Sequence, residues 1–260
     1  MMDLSRTPAH RWEVLRLDYL FAVIVPCLIA LYVTRAGANG FLENLKLIVG
    51  WAFLGVAGNI INDIVDKDRE LGWNAKELAA IAIGSLVLSI LCFASAIASN
   101  PLTILYVAFA IGLVFVYCIG LKKIPIASGF VQVFAEVCLP YFSIHVPSSS
   151  VEWFWLVSLF FFSILSQFMH EAVDKEAVAS RFSPNQIRII IFVFSGLTLV
   201  FGAILFLLTF DFNILPVAFV PIATIYIFRV PRTAAANNIK SIGIILGNFF
   251  MIYFLVLIIA

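Results

Sequence analysis

Asn59, Asn62, Asp63, Asp66 and Glu70 recur at intervals of three and four residues in the segment Asn59-Ile60-Ile61-Asn62-Asp63-Ile64-Val65-Asp66-Lys67-Asp68-Arg69-Glu70. Wound into an α-helix, they fall on one stripe about 100° wide, with Asp68 on the opposite side. Further along, Gln167, His170, Glu171 and Asp174 stand in the same register as Asn59, Asn62, Asp63 and Asp66, and only Glu70 lacks a counterpart, being matched by Val178. Solvated acids at a helix end would scatter around it, whereas both copies keep to one face. Two like charges about 4 Å apart repel by roughly 4 kcal/mol at an effective dielectric of 20, so stacked carboxylates call for a neutralising partner. Carboxylate and amide oxygens are hard ligands. Mg²⁺ takes one or two carboxylates, keeps waters and completes its shell with substrate phosphates. The paired stripes therefore read as an internal repeat that binds Mg²⁺ and a diphosphate, with Asn62, Asp63, Asp66, Glu70, Glu171 and Asp174 as metal ligands. Within that set Asp63, Asp66 and Asp174 are the catalytic core.

Other chemistries find no support in the residues. His170-Glu171 opens like a zinc-protease HExxH motif, but position 174 is Asp, not the second His. His10, His145 and His170 do not assemble a Ser–His–Asp triad, and there is no P-loop, GxGxxG or CxxC. The four cysteines, Cys27, Cys92, Cys118 and Cys138, sit in apolar runs and read as small buried hydrophobes. An ion-coupled transporter would carry its acids nearer mid-span, where only Glu136 and Glu152 stand. Glu136 reads as a structural or pocket-lining carboxyl bonded to a neighbouring helix.

The elements that position these residues follow from composition. Hydrophobic residues make up 63% of the 260 positions and charged residues 12%, with a net charge of +1. A soluble domain has roughly 25% charged residues, so a water-soluble globule is excluded, as is a nucleic-acid partner. The partner that remains is the lipid bilayer. Apolar runs of the length a bilayer demands, roughly 17–25 residues, lie near 17–34, 42–64, 77–98, 101–121, 126–146, 152–172, 187–209, 213–229 and 239–259. The first run lacks a small-residue cleavage site and is kept as mature structure. Connections are short, with turn residues such as Asn100-Pro101 and Ser183-Pro184-Asn185, so residues 1–260 are expected to form one all-α membrane domain. Nine spans put 14 Lys and Arg on the side of the N-terminus and leave Arg35 and Lys46 on the other. The positive-inside bias then predicts a cytoplasmic N-terminus, with both carboxylate stripes on that side.

On these residues the chain resembles the UbiA superfamily of intramembrane prenyltransferases. Asn62-Asp63-Ile64-Val65-Asp66-Lys67-Asp68-Arg69-Glu70 is similar to the family's NDxxDxxxD motif, with Glu in the last place. Asp174 matches the first acid of its DxxxD motif, and Val178 replaces the second. Tyr117 followed by Lys122-Lys123 is similar to a tyrosine and basic pair after the fourth helix.

The resemblance implies a helical bundle around a central cavity and an isoprenyl diphosphate held through Mg²⁺. It also implies carbocation-like transfer of the prenyl group to a lipophilic acceptor, aromatic acceptors included. Asn59, Lys67, Arg69, Lys122, Lys123 and Arg181 are then candidates for binding the diphosphate, although basic residues in these places are more often positive-inside charges alone. Apolar and aromatic walls would shelter an allylic cation, and 26 phenylalanines offer them. The loops after both motifs are shorter than the family's usual cap. That departure keeps open a membrane terpene cyclase, which ionises the same donor without an acceptor. A lipid-binding or transport protein without catalysis is the third reading.

Overall fold

The computed structural model describes residues 14–66, 73–174, 177–229 and 237–260, and of residues 66, 173, 174, 177, 179 and 237–242 the backbone alone. Among the described residues the chain is all-helical. A 3-10 turn, Leu17–Tyr19, leads into α1 (Phe21–Val33), α2 (Gly37–Asp66), α3 (Ala75–Ser99) and α4 (Leu102–Ile119). Then follow α5 (Ala127–Val133), a π-helical turn (Phe134–Cys138), α6 (Leu139–Ile144), α7 (Ser150–Asp174), the short α8 (Ala177–Arg181), α9 (Pro184–Thr209), α10 (Leu215–Ile227) and α11 (Asn237–Ile259).

Six of the described segments are long and apolar enough to cross a membrane, α5, the π turn and α6 together making one of them, and three shorter apolar segments (Leu17–Val33, Phe212–Ile227, Gly243–Ile259) bring the total to the nine expected. The chain is an integral membrane protein. Two expected spans differ in detail. The first opens as the 3-10 turn Leu17–Tyr19 before continuing as α1, and Arg16, at φ 44° and ψ 45°, stands in a left-handed conformation at its start. The fifth carries the π turn at its middle, with Pro140 just beyond it. Pro140 has no N–H to give an i−4 carbonyl, and its ring disfavours a regular turn before it.

Local sequence sets the helix starts. Asn74 Oδ1 accepts from Lys76 N and Glu77 N at 3.0 Å each, and Asn74 N donates in return to Glu77 Oε2 at 2.9 Å. Ser183 and Gln186 repeat this capping box for α9, with Pro184 at its first position. The outer surface is apolar, with Leu91, Phe109, Phe219 and Ile245 among its exposed side chains, as a surface facing lipid requires.

Packing runs α2 along α3, α7 along α9 and α1 along α11, while α1 also touches α2, α6 and α7. Three of the four cysteines are buried, as expected, and Cys92 is half-buried. At the end away from the carboxylate stripes, Tyr32 on α1 donates to Asp211 Oδ2 at 2.7 Å. Asn213 donates to Tyr32 Oη and accepts from Tyr253 on α11, both at 2.7 Å. That network ties α1, α11 and the turn before α10 together. Glu152, the second mid-span acid considered, sits at this end and caps the loop before α7 by accepting from Ser148 N at 2.6 Å.

Candidate active site

Between α1, α2, α4, α5, α7 and α11 lies a cavity of about 420 Å³, a volume within the range of small-ligand sites. Asn59 and Asn62 line it from α2, and Gln167 and His170 line it from α7. These are two of the register pairs read from the sequence, and the fold brings them to one cavity. They sit near the ends of two long helices, α2 ending at Asp66 and α7 at Asp174.

The next register pair, Asp63 and Glu171, is buried at the helix flanks, 4% and 1% exposed. Each carboxylate is held by a neighbouring element. Arg16 donates from Nη2 to Asp63 Oδ1 at 2.6 Å, and the Arg16 side chain itself lines the cavity. Its left-handed backbone costs about 1 kcal/mol in a non-glycine residue, a conformation the buried ion pair helps to hold. The turn carrying Arg16 is anchored from α11, where Asn248 Nδ2 donates to the Asp18 carbonyl at 2.8 Å. Gly247 lets the Phe21 ring close against the α11 backbone, and any Cβ there would collide with that ring.

Glu171 is held from the other half of the chain. Ser128 Oγ donates to Glu171 Oε1 at 2.9 Å, and Gln167 Nε2 approaches the same oxygen at 3.4 Å. Gly129, beside Ser128, permits this closeness between α5 and α7, since a Cβ on it would lie 2.9 Å from the Phe168 ring.

The basic candidates separate. Lys122, on the turn after α4, donates from Nζ to Asn62 Oδ1 at 3.5 Å. Lys123 and Arg181 are exposed, with side chains outside the cavity lining. Lys67, Arg69 and Glu70 lie outside the described residues. For Asp66 and Asp174 the backbone places them at the ends of α2 and α7, and their side chains lie outside the description. Val178 is fully buried in the apolar core, so a packed side chain stands where the second acid of the second motif is absent. Tyr117 lines the cavity from α4. Arg16 and Tyr19 were not singled out by sequence reasoning. Tyr19 faces the His170 ring edge-on with centroids 6.3 Å apart. Glu136 also lines the cavity, but its hydrogen bond comes from Gln132 on its own helical segment, at 3.1 Å, not from a neighbouring helix.

The donor chemistry suits a hard divalent cation. Two of the oxygens in question, Asn62 Oδ1 and Asp63 Oδ1, already accept from cationic groups, Lys122 and Arg16. Among the described residues no cluster of three or more His, Cys, Asp and Glu side chains assembles, and three of the six expected ligands, Asp66, Glu70 and Asp174, have side chains outside that set. Amide and carboxylate oxygens around a cavity with a basic rim can hold Mg²⁺ together with a phosphate-bearing ligand.

No family model matches the sequence, and no curated protein matches it. Solved structures do. A UbiA homologue from Archaeoglobus fulgidus bound to GPP and Mg²⁺ superposes with a TM-score of 0.69 at 16% identity, covering 95% of this chain and 99% of that one. A UbiA homologue from the same organism bound to DMAPP and Mg²⁺ gives 0.70 at 16% identity over 95% and 98%. One bound to Cd²⁺ gives 0.72 at 15% over 95% and 98%. This chain has the fold of those UbiA homologues along nearly its whole length.

Proposed function

We propose that the chain is a member of the UbiA superfamily and a Mg²⁺-dependent prenyltransferase. In this reading it ionises an isoprenyl diphosphate and transfers the prenyl group to a lipophilic acceptor, within a single domain spanning residues 1–260. The observation that carries the reading is the meeting of Asn59 and Asn62 with Gln167 and His170 at one cavity. Two helix ends that match in sequence supply the two sides of one site. The fold shared with structures that bind GPP, DMAPP and Mg²⁺ supports the same reading.

In this site Mg²⁺ would be held by Asn62, Asp63, Asp66 and Glu70 of the first motif and by Glu171 and Asp174 of the second. When bound, the metal supplies positive charge to the departing diphosphate. The chain's own groups do the remaining work. Lys122, steered by Asn62, and Arg16, steered by Asp63, present fixed cations to the phosphoryl oxygens. Asn59 adds an amide donor at the rim, and Lys67, Arg69, Lys123 and Arg181 are the further basic candidates for the diphosphate. Below that rim Phe21, Trp51, Leu54, Phe162 and Phe250 line the cavity. They exclude water and supply the apolar and aromatic walls that would shelter an allylic cation. The stripes and the N-terminus lie on the cytoplasmic side, as the charge bias requires.

Purified protein in detergent with Mg²⁺ is expected to release diphosphate from at least one prenyl diphosphate of the C10–C30 series. Asp63→Asn is expected to lower the rate by about 100-fold or more, and EDTA to abolish it. Absence of release from every donor contradicts the reading. A cyclised hydrocarbon or alcohol formed without acceptor assigns the chain to the terpene cyclases, and tight binding without turnover assigns it to the non-catalytic lipid binders.

A further inference from the structure

The cavity is unevenly furnished. Its lining from α1 and α11 below the rim is apolar, with Phe21, Val25, Pro26, Ile244, Leu246 and Phe250. From α5, the π turn and α7, which pack on one another, come Gln132, Glu136, Ser163, Ser166 and Gln167. The strip descends from the level of Glu171. Ser163 stands eight residues before Glu171 and Glu136 eight residues after Ser128, which bonds Glu171, so each lies about two helical turns, or about 12 Å along the helix axis, from that level. A prenyl chain hung from the rim passes this strip, yet a hydrocarbon has no use for it. Carboxyl groups at such depth are costly and are kept where they meet a ligand or a partner.

Glu136 has one hydrogen bond among the described residues, from Gln132 Nε2 to its Oε1. Gln132 Oε1 is buried and has no hydrogen-bond partner among the described residues. Glu136 belongs to the π turn Phe134–Cys138, the kind of helix irregularity that concentrates at functional sites. Ser163 stands at a similar depth on α7. Together these groups offer acceptors to an incoming O–H, with one carboxyl oxygen fixed by Gln132 and the other left to a ligand.

We propose that Glu136, steadied by Gln132, binds the hydroxyl group of an uncharged lipophilic acceptor at mid-membrane depth in the cavity. The proposal rests on the prenyltransferase reading and deepens it by naming the acceptor's polar group and the wall that holds it. A neutral hydroxyl reaches this depth at a lower desolvation cost than an ammonium, which must be stripped of its water first.

The test uses purified full-length protein in detergent and a matched pair of probes, 4-pentylphenol and 4-pentylanisole, which differ in the O–H alone. Thermal stabilisation is followed against probe concentration. Wild type is expected to reach half-saturation with the phenol at about one-tenth the concentration needed for the anisole. Glu136→Leu is expected to bring the ratio to about one, and Glu136→Gln, which keeps the shape and a weaker acceptor, to about three. Equal half-saturation in wild type overturns the proposal. So does a tenfold ratio that survives in Glu136→Leu or, should that variant fail to fold, in Glu136→Gln. A separate arm with Mg²⁺ and geranyl diphosphate reads the underlying function. Stabilisation in that arm without phenol preference overturns the hydroxyl site alone. Phenol preference without donor stabilisation overturns the transferase reading and leaves the hydroxyl site standing.

Discussion

Arg16 donates to Asp63 at 2.6 Å across 47 positions of sequence, so the residue ahead of the first membrane helix neutralises the central acid of the α2 stripe. The pair explains how a carboxylate that is 4% exposed is accommodated by the protein's own charges. It also makes the N-terminal turn part of the site, held in place by Asn248 from α11.

Arg16→Ala removes the guanidinium from a buried carboxylate. Arg16 is itself about one-third exposed, so solvent screening reduces the loss to about 1–2 kcal/mol. The account expects a lower Tm by thermal unfolding in detergent and a partial recovery with millimolar Mg²⁺, which substitutes positive charge at Asp63. An equal loss with and without Mg²⁺ would place Arg16 outside the metal site.

Lys122 and Lys123 are adjacent in sequence and differently placed, one at 3.5 Å from Asn62 Oδ1 and the other exposed. Lys122→Ala is expected to raise the KM for prenyl diphosphate at least tenfold more than Lys123→Ala does. Steady-state kinetics over a range of donor concentrations reads this directly, and equal effects would mean that neither lysine is specifically aimed.

Ser128→Ala takes away the hydroxyl that bonds the buried Glu171 carboxylate. A hydrogen bond to a charged buried acceptor is worth about 1.5–3 kcal/mol, and a loss of that order is expected in denaturant or thermal unfolding. Glu171→Gln should then cost less in the Ser128→Ala background than in the wild type, because the Ser128–Glu171 bond is shared by the two changes.

Gly129→Ala would put a Cβ 2.9 Å from the Phe168 ring. The ring or the helices must give, at a cost of about 1–3 kcal/mol, and α5 is displaced from α7. The expected signature is a lower Tm together with weaker stabilisation by Mg²⁺ and donor, since the displacement reaches both Ser128 and Gln132.

Much of this architecture is legible in the sequence, for a physical reason. A bilayer allows only long apolar helices, so the apolar runs disclose the spans, while the Lys/Arg bias supplies the expectation of sidedness. The helical period also revealed that Asn59 and Asn62 share a face, and that Gln167 and His170 repeat it. What the period could not reveal is which way a helix is rotated. Asn59 and Asn62 turn to the cavity, whereas Asp63, one position on, turns to Arg16. Arg16 was hidden because a basic residue ahead of a span is indistinguishable by type from a topological charge. Ser128 gave no signal, since one serine before an apolar run is ordinary and its partner lies 43 positions away. Glu136 stood out as a mid-span acid, but the π turn that accompanies its place in the cavity left no local motif.

The most direct test of the central claim, that the ends of α2 and α7 form one metal–diphosphate site, is a structure with Mg²⁺ and geranyl thiodiphosphate. The account predicts Mg²⁺ at about 2.1 Å from carboxylate or amide oxygens of both helices, with the diphosphate beside Lys122 and the prenyl chain descending past Glu136. Metal bound by one helix alone, or an analogue lodged outside the cavity, would contradict it.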